Sequence, residues 1–407
     1  MNPLRYLFID FDSYFASVEQ HLDPSLRGRP VGVVPTMAET TSCIAASYEA
    51  KRFGVKTGTR VSEARQLCPG IQFVEAEHSV YVHYHERFHA AIEEVIPITK
   101  TLSIDEVCCE LPKNWRDRSY VENMMLRVQD NLAHKVSPWI TCSLGAGPNR
   151  FIAKLASKYR KPNGHHIVEQ EDLMEFLVQH QLSDLNGVGR NMEARLKRAG
   201  IYTVAQMCQC KEETLRKVWG SVHGARMWHA LKGDDLAELQ THTSTIGHSH
   251  VLAPERRAPH QALKVLHRLL QKATLRLRDK GYVTSRMQLS LRYDSGLRWG
   301  HEARFDETCE SHPLRYALSE LWCLRPAPHE TIRKLSVSFF GLKEKTNYTL
   351  NLFSQEDPKR EAVDQAMDHI VNKFGKQAAY YGGAHGAQKA VQMRIAFNHI
   401  PDLILED

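Results

Sequence analysis

The stretch LRYLFIDFDSYFASVEQHL, residues 4–22, decides the fold of the amino-terminal part of the chain. Its opening, LRYLFI, is an apolar run of the length of a strand. Its second part carries three apolar side chains at helical spacing, namely Phe15, Val18 and Leu22. The pattern therefore predicts a strand that passes directly into a helix, with Asp10 and Asp12 at the end of the strand.

The segments that follow predict the rest of one sheet. Short elements rich in Gly and Thr occupy residues 25–76 and indicate a small insertion. After it we predict a helix near 80–94, strands near 98–103 and 107–111, a helix near 120–134 and a strand over ITCSLGAG, residues 140–147. The order is β–α–β–β–α–β, which is typical of an α+β sheet with helices on one face. This order brings the end of the first strand close to the hairpin that carries SIDE, residues 103–106.

The remainder of the chain predicts a helical region and a second α+β unit. Residues 165–240 are predicted to be all-helical, and LNGVGRNMEARLKRAG, residues 185–200, contains a Gly-x-Gly turn between two helical stretches. From residue 246 onward the chain repeats the β–α–β–β–α–β order, and its first helix has four leucines on one face: Leu263, Leu266, Leu270 and Leu277. In residues 346–407 we predict one helix that stops at Gly375 and has an apolar face of Ala362, Val363, Ala366, Met367, Ile370 and Phe374.

Length and composition limit the class of protein. A single core stops growing at about 250–300 residues, so a chain of 407 residues predicts several domains. Hydrophobic residues make up 42% and charged residues 25%, as in soluble globular proteins, and no apolar run of about 18 residues offers a membrane span. Acids stand directly behind the short apolar start, so we expect no secretory signal peptide and a cytoplasmic location. The nine cysteines include no CxxC pair, which favours free thiols over a zinc site.

The net charge of +6 names no partner, but the distribution of the charges is informative. RFIAKLASKYRK, residues 150–161, contains five basic residues and no acid, and residues 256–280 hold eight Lys or Arg against the single Asp279. Two basic stretches far apart in sequence are able to contact one long polyanion. Two solvated helix faces are the alternative interpretation of the same charges.

Four acids indicate chemistry on phosphates. Asp10 and Asp12 at a strand end, with the pair Asp105 and Glu106 on the neighbouring hairpin, concentrate negative charge that repels itself unless cations are present. Hard oxygen ligands of this kind suit Mg²⁺, and two such ions about 3.5–4 Å apart stabilise the attacking and leaving oxygens of an in-line phosphoryl transfer. We interpret the acids as a phosphate-transfer site, with a helix cap and a solvated turn as the alternative.

Four motifs, in this order and at these separations, resemble those of a Y-family (translesion) DNA polymerase of the DNA polymerase IV (DinB) branch: FIDFDSYFASVEQ, SYEAKRFGVKTG, SIDE and GPNRFIAKLASKYRKPNG. The resemblance covers roughly residues 5–345. It implies an α+β multidomain protein with the right-hand fold of polymerases. Its parts would be a ferredoxin-like palm from 1–24 and 77–164, small fingers from 25–76, an all-helical thumb with a helix-hairpin-helix from 165–240, an α+β little finger from 246–345 and a C-terminal segment from 346–407.

The resemblance also implies the ligands of two Mg²⁺ ions. Asp10 and Asp105 would bridge both ions, and Glu106 would hold the ion that activates the primer 3′-hydroxyl. The backbone carbonyl of Phe11 would complete the ion on the nucleotide side. Asp12 matches an acid of the family that is not a principal ligand, so we expect a structural role for it.

The nucleotide contacts follow from the same motifs. Phe15 matches the steric gate, an aromatic ring beneath the sugar that excludes a 2′-hydroxyl, although an ordinary core aromatic would look the same in sequence. Tyr48 and Lys161 would hold the triphosphate, together with a basic residue that follows Tyr48. The family's Tyr-Glu-Ala-Arg tetrad reads Tyr-Glu-Ala-Lys here, so either Lys51 or its neighbour Arg52 makes that contact.

Contacts to DNA are implied farther along the chain. Gly187 and Gly189 resemble the turn of a helix-hairpin-helix, whose backbone N–H groups approach a DNA phosphate. In the little finger, Arg256 and Arg257 begin a basic series that continues with Lys264, Arg268, Lys272 and Arg276. Not all of these side chains can face DNA, because a helix presents opposite sides.

The segment TLNLF, residues 349–353, resembles the short peptide by which bacterial polymerases of this branch dock on the sliding clamp. Leu352 and Phe353 would fill a hydrophobic pocket of the clamp. Thr349 stands where the peptide usually has glutamine, which should weaken binding. A strand packed in its own domain is the alternative.

The implied function is that of a DNA-directed DNA polymerase: template-directed, low-fidelity synthesis past damaged bases by two-metal nucleotidyl transfer from dNTPs. The expected partners are primer-template DNA, dNTPs and a sliding clamp, with no membrane, and the protein is expected to act as a monomer. A catalytically inactive accessory relative is the rival, and retention of Asp10, Asp105, Glu106 and Lys161 argues against it. A palm-fold signalling cyclase and a non-enzymatic DNA-binding module are further alternatives, which a primer-extension assay with Mg²⁺ separates.

Overall fold

The computed structural model describes residues 4–239, 242–347, 358–375 and 377–390, together with residues 395 and 400. They form two compact units: the first contains the described residues up to Leu239 together with residues 395 and 400, and the second contains the other described residues. None of the helices in these ranges has the length and the apolar composition that a bilayer span needs.

The first unit contains, in chain order, β1 (Tyr6–Phe11), α1 (Tyr14–Leu22), β2 (Val31–Val34), β3 (Ala45–Ala46), α2 (Tyr48–Arg52), α3 (Val61–Leu67), β4 (Gln72–Glu75), α4 (His78–Glu93), β5 (Lys100–Ser103), β6 (Glu106–Glu110), α5 (Arg118–Lys135), β7 (Cys142–Gly147), α6 (Arg150–Tyr159), β8 (His165–Ile167), α7 (Leu173–Val178), α8 (Arg190–Arg198), α9 (Val204–Gln209), α10 (Glu212–Trp219) and α11 (Val222–Leu231).

The main sheet of this unit has five strands in the order β5-β6-β1-β7-β8. The predicted β–α–β–β–α–β order is confirmed, with the insertion after its first helix. β1 lies at the centre, antiparallel to both β6 and β7, and all six of its residues are buried. A strand buried on both faces needs a packed layer on each side of the sheet.

Helices cover both faces of this sheet, so the prediction of helices on one face is wrong. Phe11 points to one face, where its ring lies 4.3 Å from that of Phe88 on α4. Phe8 points to the other face and packs with Ala153 of α6. The second layer fits because β7 has glycine beneath α6: a Cβ atom on Gly145 would lie 2.2 Å from the carbonyl oxygen of Ala153.

The region predicted to be all-helical begins with a strand. Residues 165–167 form β8, which pairs in parallel with β7 at the edge of the main sheet. The regular elements described between β8 and Leu239 are helical, as predicted, and α7 to α11 share one core with Ile152, Leu155 and Ala156 of α6. Gly187, with a φ of +88°, makes the turn before α8 in a conformation that suits glycine.

The insertion is a small unit with its own sheet and core. Its three strands follow the order β3-β2-β4, and α2 and α3 accompany them. The buried side chains of this core are Val34, Cys43, Ala46, Ala50, Val55, Val61, Ala64, Cys68 and Ile71.

The second unit contains β9 (Ile246–Val251), α12 (Pro259–Asp279), β10 (Tyr282–Tyr293), β11 (Arg298–Thr308), α13 (Ser311–Cys323), β12 (Ile332–Phe340), β13 (Lys343–Glu344) and α14 (Pro358–Phe374). The predicted second β–α–β–β–α–β order is confirmed. Its sheet order, however, is β11-β10-β12-β9, so the first strand of this motif is an edge strand, whereas β1 is central in the main sheet. Side chains of α12, including Leu266, Leu270 and Leu277, pack in one core with β10 and β12.

The helix α14 ends before Gly375, whose φ is +90°, as the sequence predicts. Its apolar face is not its buried face: Phe374 is 66% exposed, while Asp364 is 4% exposed. Arg278 of α12 explains this orientation, because its guanidinium donates to both carboxylate oxygens of Asp368 over 2.5 and 2.6 Å and lies 3.6 Å from Asp364. These ion pairs set the rotation of α14 about its axis.

Candidate active site

Three acids lie together at one end of the main sheet. Asp10 is the residue before last in β1 and pairs across the ladder with Glu106, the first residue of β6. The backbone N–H of Phe11 donates to the carbonyl oxygen of Asp105 over 2.9 Å. The predicted closeness of the first strand's end to the SIDE hairpin is therefore confirmed. Because directly paired residues present their side chains to the same face, Asp10 and Glu106 share one face of the sheet.

Burial makes the negative charge of this site costly. Asp10 is only 7% exposed, and burial raises the pKa of its carboxyl to about 6; Lys161 opposes the rise, while Glu106 and Asp105 add to it. Burial also raises the pKa of Asp105, whose carboxylate accepts a hydrogen bond of 2.6 Å from the hydroxyl of Ser103. Buried carboxylates that repel one another need positive charge nearby to remain ionised.

Two lysines supply positive charge. The Lys154 ammonium donates to Oε2 of Glu106 over 2.8 Å, and that of Lys161 contacts Asp10. Lys154 lies on α6 and Lys161 just beyond its end, so the close approach of α6 to β7 carries both ammonium groups to the acids. Sequence reasoning assigned Lys161 to the site but left Lys154 within a general basic stretch. Lys154 and Lys158 are four residues apart, so they lie on one face of a helix, and this spacing is the sequence feature that could have indicated that Lys154 reaches the site.

The chemistry of the carboxylates fits a divalent cation. All their donor atoms are hard oxygens, which suit Mg²⁺ better than softer metals. In the part of the chain that the structure describes, no three His, Cys, Asp or Glu side chains form a ready-made ligand group. Instead, the ammonium groups of Lys154 and Lys161 contact the carboxylate oxygens of Glu106 and Asp10. A cation bound here would take the place of these ammonium groups.

Asp12 is buried in a hydrogen-bond network and has a structural role. It is 1% exposed, and its carboxylate accepts hydrogen bonds from the hydroxyls of Thr141 (2.9 Å), Ser143 (2.8 Å) and Tyr48 (3.2 Å), and from the backbone N–H of Asn163 (2.8 Å). The network ties β1 to β7, to α2 and to the turn after Lys161. Asp12 therefore positions residues from three segments that surround the acids.

Asp12→Ala is expected to destabilise the protein by about 3 kcal/mol, because four donors lose a buried acceptor at once. Chemical denaturation followed by circular dichroism measures the change. Asp130→Ala, which removes an exposed carboxylate from α5, is the matched control and should shift stability by less than about 0.5 kcal/mol. Equal stability of the two variants would contradict the structural role of Asp12.

Phe15 is the second residue of α1, is half-buried, and lies beside α4. Its ring stacks on that of Tyr81, with the ring centres 4.2 Å apart and the planes inclined by 13°. The adjacent Tyr14 is buried, and its hydroxyl donates to the backbone carbonyl of Tyr81 over 2.6 Å. Of these two neighbouring aromatics, Phe15 is the one that keeps exposed surface.

Lys51 and Arg52 point to different surroundings. The Lys51 ammonium donates to the hydroxyl of Ser13 over 2.7 Å and lies 4.4 Å from the centre of the Tyr48 ring. The side chains of Lys51 and Arg52 both expose surface, but partial burial of the Lys51 ammonium lowers the pKa of that group, and the charge of nearby Lys161 lowers it further. Ser13, next to Asp12, has a φ of 49°, in the left-handed region that residues other than glycine rarely adopt.

The structure shows where the residues predicted to contact DNA lie and which groups they contact within the protein. Gly189 is the N-cap of α8, so the Gly187–Gly189 turn leads into a helix as predicted. Arg257 donates to Asp294 over 3.1 Å, and Arg256 donates to the carbonyl oxygen of Gly386 over 2.8 Å. Both guanidinium groups thus have partners within the second unit, and their contact with DNA stays a prediction.

Two further predictions concern the second unit and its tail. Arg268, in the basic series of α12, is 2% exposed, so it is one member of that series that faces inward. The candidate clamp peptide, residues 349–353 with Leu352 and Phe353, lies outside the described residues.

Comparison with known protein families matches three parts of the chain. Residues 9–158 match the impB/mucB/samB family, residues 243–352 match the C-terminal domain of that family, and residues 183–235 match the DNA polymerase-iota thumb domain. Two curated relatives match along more than nine-tenths of this chain and of their own length. The DNA polymerase IV of Moorella thermoacetica is 30% identical over 383 residues, which covers 92% of this chain and 94% of that protein. DNA polymerase IV 1 of Bacillus subtilis is 26% identical over 414 residues, which covers 97% and 96%.

Solved structures share the fold. A Y-family DNA polymerase chimera of Dbh and Dpo4 superimposes with a TM-score of 0.68 at 20% identity, covering 83% of this chain and 99% of that one. An insertion ternary complex of Dbh DNA polymerase gives a TM-score of 0.54 at 22% identity, with 83% and 98% covered. The right-hand α+β fold, the three matched domains and similarity to DNA polymerase IV along nearly the whole length agree with one another, and we conclude that the chain belongs to the Y family of DNA polymerases, in the DNA polymerase IV branch.

Proposed function

We propose that the protein is a DNA-directed DNA polymerase that adds dNTPs to a primer, with low fidelity, past damaged template bases. The observation that carries the proposal is the convergence of Asp10, Asp105 and Glu106 at one end of the main sheet, with Lys154 and Lys161 against them. Nucleotidyl transfer joins two polyanions, so it needs paired positive and negative groups that are fixed in advance. No comparable arrangement is required of a module that only binds DNA.

The acids would hold two Mg²⁺ ions, with Asp10 and Asp105 as ligands of both. Glu106 would hold the ion beside the primer, and the backbone carbonyl of Phe11 would hold the ion beside the nucleotide. The ions, when bound, supply the positive charge that activates the primer hydroxyl and stabilises the leaving pyrophosphate. Lys161, freed from Asp10, would hold the triphosphate with Tyr48 and Lys51. The Asp12 network keeps Tyr48 and the turn after Lys161 in register with the acids.

We assign the parts of the right hand as the resemblance implies. The palm would comprise 1–24 and 77–164 with β8 added to its sheet, the fingers 25–76, the thumb 165–240 and the little finger 246–345. Primer-template DNA would contact the thumb at Gly187 and Gly189 and the basic residues of the little finger, mostly through phosphates. We further propose that the protein acts as a monomer and in the cytoplasm.

Primer extension tests this function. The purified full-length protein, a primed template and dNTPs should give template-directed addition with Mg²⁺ and none with EDTA, and a template with an abasic site should still be copied. DNA binding without any nucleotide addition would instead identify an inactive accessory relative.

Lys51→Ala is expected to raise the KM for dNTP about tenfold, while Arg52→Ala changes it by less than about twofold. Both side chains are exposed, but the amine of Lys51 is held beside Ser13 and Tyr48. The Tyr48 hydroxyl in turn donates to Asp12. Steady-state single-nucleotide addition measures both constants, and the two variants control for each other because they are adjacent on one short helix. A larger defect in Arg52→Ala would reverse the assignment.

Leu352→Ala combined with Phe353→Ala is expected to abolish stimulation by a loaded sliding clamp. The melting temperature and the distributive primer extension should stay unchanged, because a docking peptide contributes nothing to the fold. Extension with and without clamp and its loader measures the effect, and Asn351→Ala, at the variable position of the peptide, is the matched control. Unfolding of the double variant, or full stimulation, would reject the docking role.

A further inference from the structure

Tyr81, on α4, is held by the helix α1. Phe15 and Glu19 are four residues apart on α1, so their side chains lie on one face of that helix. The Phe15 ring stacks on the Tyr81 ring at 4.2 Å. The Tyr81 hydroxyl donates to Oε1 of Glu19 over 2.5 Å. One aromatic residue therefore contacts both members of an i, i+4 pair, one through its ring and the other through its hydroxyl.

The remaining contacts fix Tyr81 further. Its backbone carbonyl accepts the hydrogen bond of the Tyr14 hydroxyl at 2.6 Å, and its side chain is fully buried. His78 meets the Phe15 ring edge-on, with the ring centres 6.0 Å apart and the planes at 90°. Tyr81 thus covers one face of the Phe15 ring, and the His78 ring also lies against it.

The plane of the Phe15 ring depends on the plane of the Tyr81 ring. Two rings inclined by only 13° and in stacking contact must tilt together or separate. A hydrogen bond to a carboxylate is short and directional, so it restrains the hydroxyl end of Tyr81 more firmly than stacking does. Glu19 is the group that supplies this restraint.

We propose that Glu19 is a positioning residue for sugar selection: through the Tyr81 hydroxyl it holds the Phe15 ring at the tilt that excludes a 2′-hydroxyl. The inference rests on the proposed function, in which Phe15 lies beneath the sugar of the incoming nucleotide. A gate that works by contact is sensitive to small displacements, because repulsion between atoms rises steeply with overlap. A ring free to tilt leaves room for one more oxygen.

The test is the ratio of kcat/KM for a dNTP to that for the matching rNTP. Tyr81→Phe removes the donor and keeps the ring, and Glu19→Leu removes the acceptor. Each should lower the ratio about tenfold, which corresponds to about 1.4 kcal/mol. Glu19→Gln keeps an acceptor oxygen and should retain the ratio within about twofold. The double variant of Tyr81→Phe and Glu19→Leu should lose no more than either single one, because both remove the same bond.

Controls separate this role from a general effect on the fold. Tyr84→Phe removes a hydroxyl about one turn along α4 and should leave the ratio unchanged. A structural defect would lower kcat/KM for both nucleotides, whereas the proposal predicts a gain for the rNTP alone. If Glu19→Leu does not fold, Tyr81→Phe carries the test because it preserves the shape of the core.

The possible outcomes are distinguishable. A wild-type ratio for Tyr81→Phe overturns the proposal, as does a loss in Glu19→Gln as large as that in Glu19→Leu. If Phe15→Ala also leaves the ratio unchanged, the gate assignment fails and the role of Glu19 falls with it. Absence of primer extension by the unaltered protein would refute the polymerase function itself.

Discussion

Asp10→Asn, Asp105→Asn and Glu106→Gln are each expected to lower nucleotide addition by about a thousandfold or more, with primer-template binding nearly intact. Each substitution keeps the size of the side chain and removes one negative charge. These charges would hold the cations on which the transfer depends, so their loss removes stabilisation that arises only in the transition state. They do not attract DNA, since carboxylates repel phosphates.

Two measurements on the same preparations check this expectation. Single-turnover extension with Mg²⁺ reports addition, and fluorescence anisotropy of a labelled primer-template reports binding. Glu63→Gln, which neutralises an exposed acid of α3, is the matched control and should be fully active. A variant that retains substantial extension would remove its residue from the site, and a loss of DNA binding would show that the residue acts by other means than cations.

Phe15→Ala is expected to lower discrimination between dNTPs and rNTPs about a hundredfold, a change of about 2.7 kcal/mol. The substitution removes the ring that stacks on Tyr81 and leaves space under the sugar. Room for the 2′-hydroxyl raises kcat/KM for the rNTP. Addition of dNTPs should fall much less, because the acids and lysines of the site are unchanged.

Competition between a dNTP and its matching rNTP on one template measures the ratio directly. Tyr120→Ala, which removes an exposed aromatic ring of α5, is the matched control and should leave the ratio unchanged. An unchanged ratio in Phe15→Ala would move the gate to another side chain. The neighbouring Tyr14 is a poor substitute, because it is buried and its hydroxyl is bonded to the backbone of Tyr81.

Local patterns predicted a large part of the fold. Strand and helix periodicity predicted both β–α–β–β–α–β orders, and glycines predicted the turn at Gly187 and the end of α14. The sequence also predicted that Asp10, Asp105 and Glu106 lie close together, because they sit at the ends of adjacent elements. Such features depend on a few neighbouring residues, so they can be read from a single sequence.

Sequence alone determined most of the elements, their order and the acids they carry, although it missed β8. The tertiary structure decided how those elements meet. Two units with the same element order pair their strands differently, with β1 central and β9 at an edge. The sequence marked residues 150–161 as a basic stretch but did not show which side of it packs on the sheet, and that packing brings Lys154 to Glu106. The apolar stripe of α14 would have indicated the wrong buried face, because distant Arg278 sets its rotation. In each case the deciding contact joins residues far apart in the chain, and its free energy depends on packing and charge that a local pattern does not contain.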